Sequence, residues 1–128
     1  MRRTYVHVAV VAMAADGDVR APGAAVTVAV CGHWEHPPPC PLAPHHVAAE
    51  RSGDEVRLRV LFATRPEAVA EVRRRIETAL RRDVLEGPDG VVTRWRFRDA
   101  GPGRLREEET AHAARLVRDG VRQADEGQ

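Results

Sequence analysis

The chain has 128 residues, of which 43% are hydrophobic and 30% are charged. These values are typical of one globular domain with one core, and they exclude a disordered tail. No apolar stretch approaches the length of a transmembrane helix. Twenty basic residues, all of them arginine, oppose 19 acidic residues, so the net charge of +1 gives no general case for a nucleic-acid or membrane partner. We expect a single domain over residues 1–128.

The first predicted strand is Thr4–Ala14, where valines recur at every second position before the turn Asp16–Asp18. Both sets of alternate positions are apolar, so one face of this strand needs a cover. Two arginines followed by a short apolar run also resemble an export signal, but the strand-like alternation argues against that interpretation. We therefore expect a cytoplasmic protein, in whose reducing environment Cys31 and Cys40 do not pair.

Two further strands are predicted before the first helix. Ala24–Cys31 alternates valines with smaller residues, and Glu55–Ala63 alternates large apolar residues with arginines. Residues 32–53, between them, are predicted to be a long loop rich in Cys, His and Pro within the same domain. The third strand is expected to bury Val56, Leu58, Val60 and Phe62 and to expose Arg57 and Arg59.

The first predicted helix begins with a capping box formed by Thr64 and Glu67. Alternation from Val91 to Arg98 predicts a fourth strand after a Gly-Pro-Asp-Gly turn, and a last helix begins near Leu105. The inward residues are expected to be Val69, Val72, Ile76 and Leu80 in the first helix and Ala113, Leu116, Val117 and Val121 in the last.

The predicted order of elements is βββαβα, which indicates an α+β domain with a four-stranded antiparallel or mixed sheet and two helices on one face. The apolar outer face of strands 1 and 2 then lacks a cover. The candidates are the loop 32–53 folding back and a second copy of the chain. We expect a homodimer through this face.

Chemically active side chains are concentrated in residues 31–46, which read CGHWEHPPPCPLAPHH. This segment, called the Cys/His segment below, holds both cysteines and four of the six histidines. Thiolate and imidazole are zinc ligands, and a tetrahedral ion can anchor a loop that has no core of its own. We predict a zinc ion with a structural or partner-recognition role. The predicted ligands are Cys31, His33, Cys40 and His45, with His36 and His46 as substitutes.

The spacing favours this set without fixing it. Cys31 and His33 are two residues apart at the end of a predicted strand, so they would share a face if the strand continued, while Cys40 and His45 can return from the loop. No C-x-x-C or H-x3-H pair is present. Inert thiols among surface histidines and a Cys31–Cys40 disulfide are the alternatives.

The run His33–Glu35 followed by Pro39–Cys40 resembles the signature of the zinc deaminases, in which a histidine ligand, a glutamate proton shuttle and later cysteines form the site. The chain departs from that signature at Ala43, where a second cysteine would stand. The resemblance implies a hydrolase or deaminase-like alternative in which Glu35 is the general base for a metal-bound water.

A metal-free dimeric interaction or nucleic-acid-binding module is the third alternative. If strands 3 and 4 are neighbours, five arginines form a cationic stripe near Trp34, whose ring can stack on a base. The near-zero net charge argues against nucleic acid. His7 and His112 are interpreted as core-edge histidines. The stripe would consist of Arg57, Arg59, Arg94, Arg96 and Arg98.

Overall fold

The computed structural model describes residues 2–31, 43–87 and 89–126. Within these ranges the chain forms six strands and three α-helices, and short 3-10 turns at Pro66–Ala68 and Glu107–Glu109 precede the second and third helices. The elements are β1 (Arg3–Ala12), α1 (Ala21–Cys31), β2 (His45–Ser52), β3 (Glu55–Thr64), α2 (Val69–Arg81), β4 (Val84–Glu86), β5 (Val92–Arg94), β6 (Arg96–Gly103) and α3 (Thr110–Glu126).

Four strands form one antiparallel sheet in the order β2-β3-β1-β6, which confirms the predicted α+β class and four-stranded sheet. Helix α1 connects β1 to β2, and β3 lies between these two strands. This is the split β-α-β connectivity of a β-α-β-β-α-β arrangement. Strands β4 and β5 form a separate short hairpin. No helix in the described ranges combines the length and apolar character needed to cross a bilayer.

The predicted element order was wrong at Ala24–Cys31, which lies in α1 and not in a strand. A short run of valines and alanines fits both a strand and a buried helix, so its periodicity alone could not decide. A turn precedes the helix, in which Asp18 Oδ1 accepts a hydrogen bond from the Arg20 amide at 2.9 Å, and Pro22 stands in the first turn of the helix. These features outweigh the alternation of the valines.

The main core lies between the inner face of the sheet and helices α1 and α2. The predicted inner face of the third strand is confirmed, as are the buried positions Val72, Ile76 and Leu80 of α2. The predicted capping box is wrong, because Thr64 is a buried residue of β3. The residue that precedes the 3-10 turn is Arg65, which makes no side-chain cap.

The predicted fourth strand is divided at Trp95 into β5 and β6. The predicted alternation holds, since Thr93 and Trp95 are buried whereas Arg94 and Arg96 are exposed. Asp83, with φ of 63° directly after α2, holds this region in place. Its carbonyl accepts a hydrogen bond from the Trp95 amide at 3.0 Å, and its carboxylate accepts one from the Phe97 amide at 2.9 Å. Asp is one of the residues that adopt the left-handed region more often than most.

Helix α3 packs on the outer face of the sheet, so the expectation that both predicted helices share one face was wrong. Leu116 packs against Val6 and Leu61, and Thr4 Oγ1 donates to the Ala113 carbonyl at 3.1 Å. The chain's own last helix therefore supplies a cover for β1 at this end. The predicted homodimer needed that face to be bare, and nothing in the described residues supports it.

The substitution Leu116→Ala tests this packing. We expect a loss of about 2–3 kcal/mol in the free energy of unfolding, because the truncation leaves a cavity above Val6. Leu105→Ala is the matched control, since Leu105 is 41% exposed and its truncation should change stability by less than about 0.5 kcal/mol. Urea unfolding measures both. Equal losses in the two variants would show that α3 does not cover the sheet.

Candidate functional site

The Cys/His segment starts at the last residue of α1 and ends at the first two residues of β2. Of the predicted ligands, Cys31 ends α1 and His45 begins β2, whereas His33 and Cys40 lie outside the described residues. Because Cys31 belongs to a helix, the argument that it shares a strand face with His33 no longer holds. His36, Glu35 and Trp34 also lie outside the described residues.

The His45 ring lies against α1. Its Nε2 is 3.0 Å from Thr27 Oγ1 and its Nδ1 is 3.2 Å from the Ala43 carbonyl oxygen. α1 and β2 approach closely at Gly23, where a Cβ would lie 3.2 Å from Val47 Cγ1. This contact brings the two ends of the Cys/His segment together.

A cavity of about 450 Å³ opens at the same edge of the sheet, between α1 and β2. Its polar lining includes the His45 imidazole, the Thr27 hydroxyl and the Arg20 guanidinium, which pairs with Asp18 at 3.1 Å. An imidazole and a hydroxyl beside an open cavity can coordinate a metal ion or donate to a small polar ligand. The edge between α1 and β2 is therefore the candidate site.

His46 lies on the opposite side of β2, because consecutive strand residues point to opposite faces. Its ring stacks against His112 of α3, with centroids 4.1 Å apart and planes tilted by 39°. Partial burial lowers the pKa of His46, as do His112 and Arg115, while Glu109 opposes the shift. The rings of His45 and His46 therefore point to opposite faces of β2, while both residues contribute to the lining of the cavity.

Arg59 and Glu109 form an ion pair on the outer face, with Arg59 Nη2 2.7 Å from Glu109 Oε1 and both side chains largely buried. The hydrogen bond from Arg59 lowers the pKa of Glu109 to about 2, against the opposing effect of burial. Arg59 also donates to the Arg104 carbonyl at 2.7 Å. This arginine anchors the chain segment that leads into α3.

The five arginines do not form one stripe, because strands 3 and 4 of the prediction are not neighbours. β1 lies between β3 and β6, and Arg94 belongs to the separate hairpin. Arg59 is neutralised by Glu109. The cationic stripe is therefore a wrong prediction.

Sequence reasoning missed a buried polar cluster that joins β1 to α2. His7 is 1% exposed, in keeping with a core histidine. Arg73 Nη1 donates to His7 Nδ1 and to the Val6 carbonyl, both at 2.9 Å, and His7 Nε2 lies 3.1 Å from Glu77 Oε2. Arg73 and Glu77 are one helical turn apart, and this spacing was the signal that they share a face of the helix. Nothing in the sequence indicated that His7 lies beneath them.

The cluster fixes the state of the His7 ring. Because Nδ1 accepts from Arg73, the hydrogen-bond network assigns the proton of the neutral ring to Nε2, which faces Glu77 with poor hydrogen-bond alignment. Burial lowers the pKa of His7 and Arg73 adds to the effect, while Glu77 opposes it. A neutral imidazole in this position is a structural link between strand and helix.

Among residues 2–31, 43–87 and 89–126, no three His, Cys, Asp or Glu side chains gather as a group able to hold a metal ion. No family model, curated protein or solved structure matches the chain. Function is therefore inferred from the side chains themselves.

Arg73→Met tests the structural role of the His7 cluster. The change leaves the Val6 carbonyl and His7 Nδ1 without their donor, so we expect a loss of about 1–2 kcal/mol in the free energy of unfolding. Arg74→Met is the matched control, because Arg74 is exposed and pairs only with Glu71, and its melting temperature should stay within experimental error. If Arg74→Met were as destabilising as Arg73→Met, the cluster would have no special role.

Stability should fall in two stages on acidification. The pKa values of His7 and His46 are lowered from 6.5 in the folded chain, so near this pH the unfolded chain binds more protons than the folded chain. The stability that these two histidines contribute is therefore present above pH 6.5 and is lost as the pH falls below it. The pKa of Glu109 is lowered from 4.5 to about 2, so its contribution is present above pH 4.5 and lost between these values. Urea unfolding at a series of pH values measures both stages.

Three variants assign the stages. His7→Gln keeps an acceptor for Arg73 and a donor toward Glu77 but does not titrate, so it should flatten the first stage. Glu109→Gln should remove the second. His46→Gln should change the first stage less, since His46 is exposed. A first stage that persists unchanged in His7→Gln would disprove the assignment.

Proposed function

We propose that the chain binds a zinc-like ion through the Cys/His segment, and that the ion stabilises the segment or presents it to a partner. The observation that carries this proposal is the contact between His45 Nε2 and Thr27 Oγ1 at 3.0 Å. Thr27 precedes Cys31 by one helical turn, about 6 Å along the helix axis. A cysteine and a histidine 14 positions apart in sequence thus belong to the same edge of the fold.

The orientation of His45 suits a metal ligand. Its Nδ1 faces the Ala43 carbonyl at 3.2 Å, which is the kind of backbone contact that commonly fixes the ring of a zinc-binding histidine. Nε2 contacts the Thr27 hydroxyl at 3.0 Å, and coordination of an ion by Nε2 would replace this hydrogen bond. Its present neighbour, the Thr27 hydroxyl, also lies 3.2 Å from the Gly23 carbonyl, so it has a second acceptor when the imidazole turns to an ion.

The entropy of closing the segment is already reduced. The packing of α1 on β2 holds its two ends together, so an ion need not supply the full free energy of loop closure. Five prolines within the segment further restrict the unfolded chain, which lowers the entropy lost on ordering. A few ligands can therefore organise a segment of this length. The prolines are Pro37, Pro38, Pro39, Pro41 and Pro44.

The proposed ligands are those named from the sequence, Cys31, His33, Cys40 and His45. Four protein ligands would close a tetrahedral zinc site and make the ion structural, whereas three ligands would leave a position for water and allow Glu35 to act as a base. An exchangeable water on the bound ion would favour the hydrolase or deaminase-like alternative. Water-proton relaxation of the cobalt-substituted protein distinguishes the two cases.

Metal analysis of untagged protein tests the proposal directly. We expect one zinc per chain, and we expect chelation to lower the melting temperature by about 5 °C or more and to make two thiols reactive. Cys31→Ser, Cys40→Ser and His45→Gln should each reduce the metal content. His46→Gln is the matched control, since its ring lies on the other face against His112 and its loss should leave the metal content unchanged.

Several results would contradict the proposal. Protein refolded with excess zinc that retains less than about a tenth of an equivalent after desalting has no such site. Equal metal loss in His45→Gln and His46→Gln would show that the neighbouring histidines are not distinguished as the geometry requires. Unchanged melting after chelation of metal-loaded protein would show that the ion does not stabilise the fold.

A further inference from the structure

A groove between α1, α2 and β4 combines an apolar floor with a rim of guanidinium groups. Its volume is about 410 Å³, within the range of pockets that hold small organic ligands. The floor consists of Ala25, Val28, Ala29, Ala79 and Leu85, and the rim carries Arg74, Arg75 and Arg82.

The groove follows from the composition of the two helices. α1 has no charged residue, and the side chains that it turns toward α2 are those of alanine and valine, which are too short to fill the space. α2 places its large apolar residues against the sheet and exposes Arg74 and Arg75, whereas Arg73 turns inward to His7. The hairpin strand β4 closes one end with Leu85 and with Val84, which is 37% exposed.

The rim has an excess of positive charge. Arg74 and Arg75 share one carboxylate, that of Glu71, with nitrogen to oxygen distances of 2.6 Å and 2.8 Å. Arg82, at the end of α2, forms no ion pair with any described residue. Three guanidinium groups therefore face one carboxylate, and two positive charges lack a counter-ion beside an apolar surface.

We propose that this groove binds a small amphipathic carboxylate, with its aliphatic tail on the alanine and valine floor and its carboxylate at the arginine rim. Burial of the tail supplies a non-directional driving force, and a guanidinium matches a carboxylate with two parallel hydrogen bonds. The C-terminal end of α2 carries partial negative charge and disfavours an anion, so the binding of the carboxylate depends on the arginines.

Decanoate, decanol and acetate separate the two halves of the ligand. In titrations of the full chain followed by amide NMR, decanoate should bind at least about tenfold more tightly than either of the others, since only decanoate has both a tail and a charge. Shifted amides should lie in α1, α2 and β4. Added salt should weaken the binding of decanoate and leave that of decanol unchanged.

Variants test the rim and the floor separately. Arg82→Gln should raise the Kd for decanoate by about threefold to tenfold. Arg65→Gln is the matched control, an exposed arginine outside the groove, and should leave the Kd unchanged. Ala29→Leu fills the floor and should abolish binding of decanoate and decanol alike, with circular dichroism and melting confirming that the variant is folded.

The proposal is overturned if decanol binds as tightly as decanoate, or if Arg82→Gln and Arg65→Gln behave alike. It is also overturned if folded Ala29→Leu binds decanoate normally, or if the shifted amides cluster outside α1, α2 and β4. None of these readouts uses the Cys/His segment, so the groove and the proposed metal site succeed or fail independently.

Discussion

The rest of the structure depends on one constraint: β1 is a central strand that is apolar on both faces. A strand of this kind must be covered twice, because water cannot be left against either set of valines. α1 and α2 cover the face with Ala9 and Val11, and α3 covers the other face at Val6. The same strand carries His7, which is tolerated in the core because Arg73 donates to it and Glu77 lies beside it.

This double cover decides what happens at the β2 edge. Layers on both sides of the sheet give two consecutive histidines different environments, with His45 against Thr27 of α1 and His46 against His112 of α3. The two rings therefore have different neighbours. The side of β2 that faces α1 is the side on which the Cys/His segment begins, and His45 is the histidine of β2 that lies on that side.

The elements that could be predicted are those in which pattern and composition agree. β3 alternates Val56 and its apolar neighbours with arginines, and α2 has an apolar stripe within a charged sequence, so each had one interpretation. α1 had two interpretations, strand and helix. Its sequence has no charged residues, so no alternation of polar and apolar positions distinguishes the period of a helix from that of a strand. The His7 cluster and the Arg59–Glu109 pair were beyond prediction, since both depend on which strands and helices become neighbours. For the candidate site, the predicted ligands stay a prediction, and the sequence pattern did not indicate that Cys31 ends a helix that packs beside His45.

The distribution of arginines explains why a net charge of +1 says little about binding. Some guanidinium groups are parts of the fold: Arg59 holds Glu109, and Arg73 holds His7 and the Val6 carbonyl. Their guanidinium groups are engaged in hydrogen bonds within the fold. Arg82 makes no such pair among the described residues and stands at the rim of an apolar groove, where its guanidinium can donate two parallel hydrogen bonds to a carboxylate. A nearly neutral chain can therefore still present a local cationic site, and the pairing of each arginine, more than the total charge, decides where that site lies.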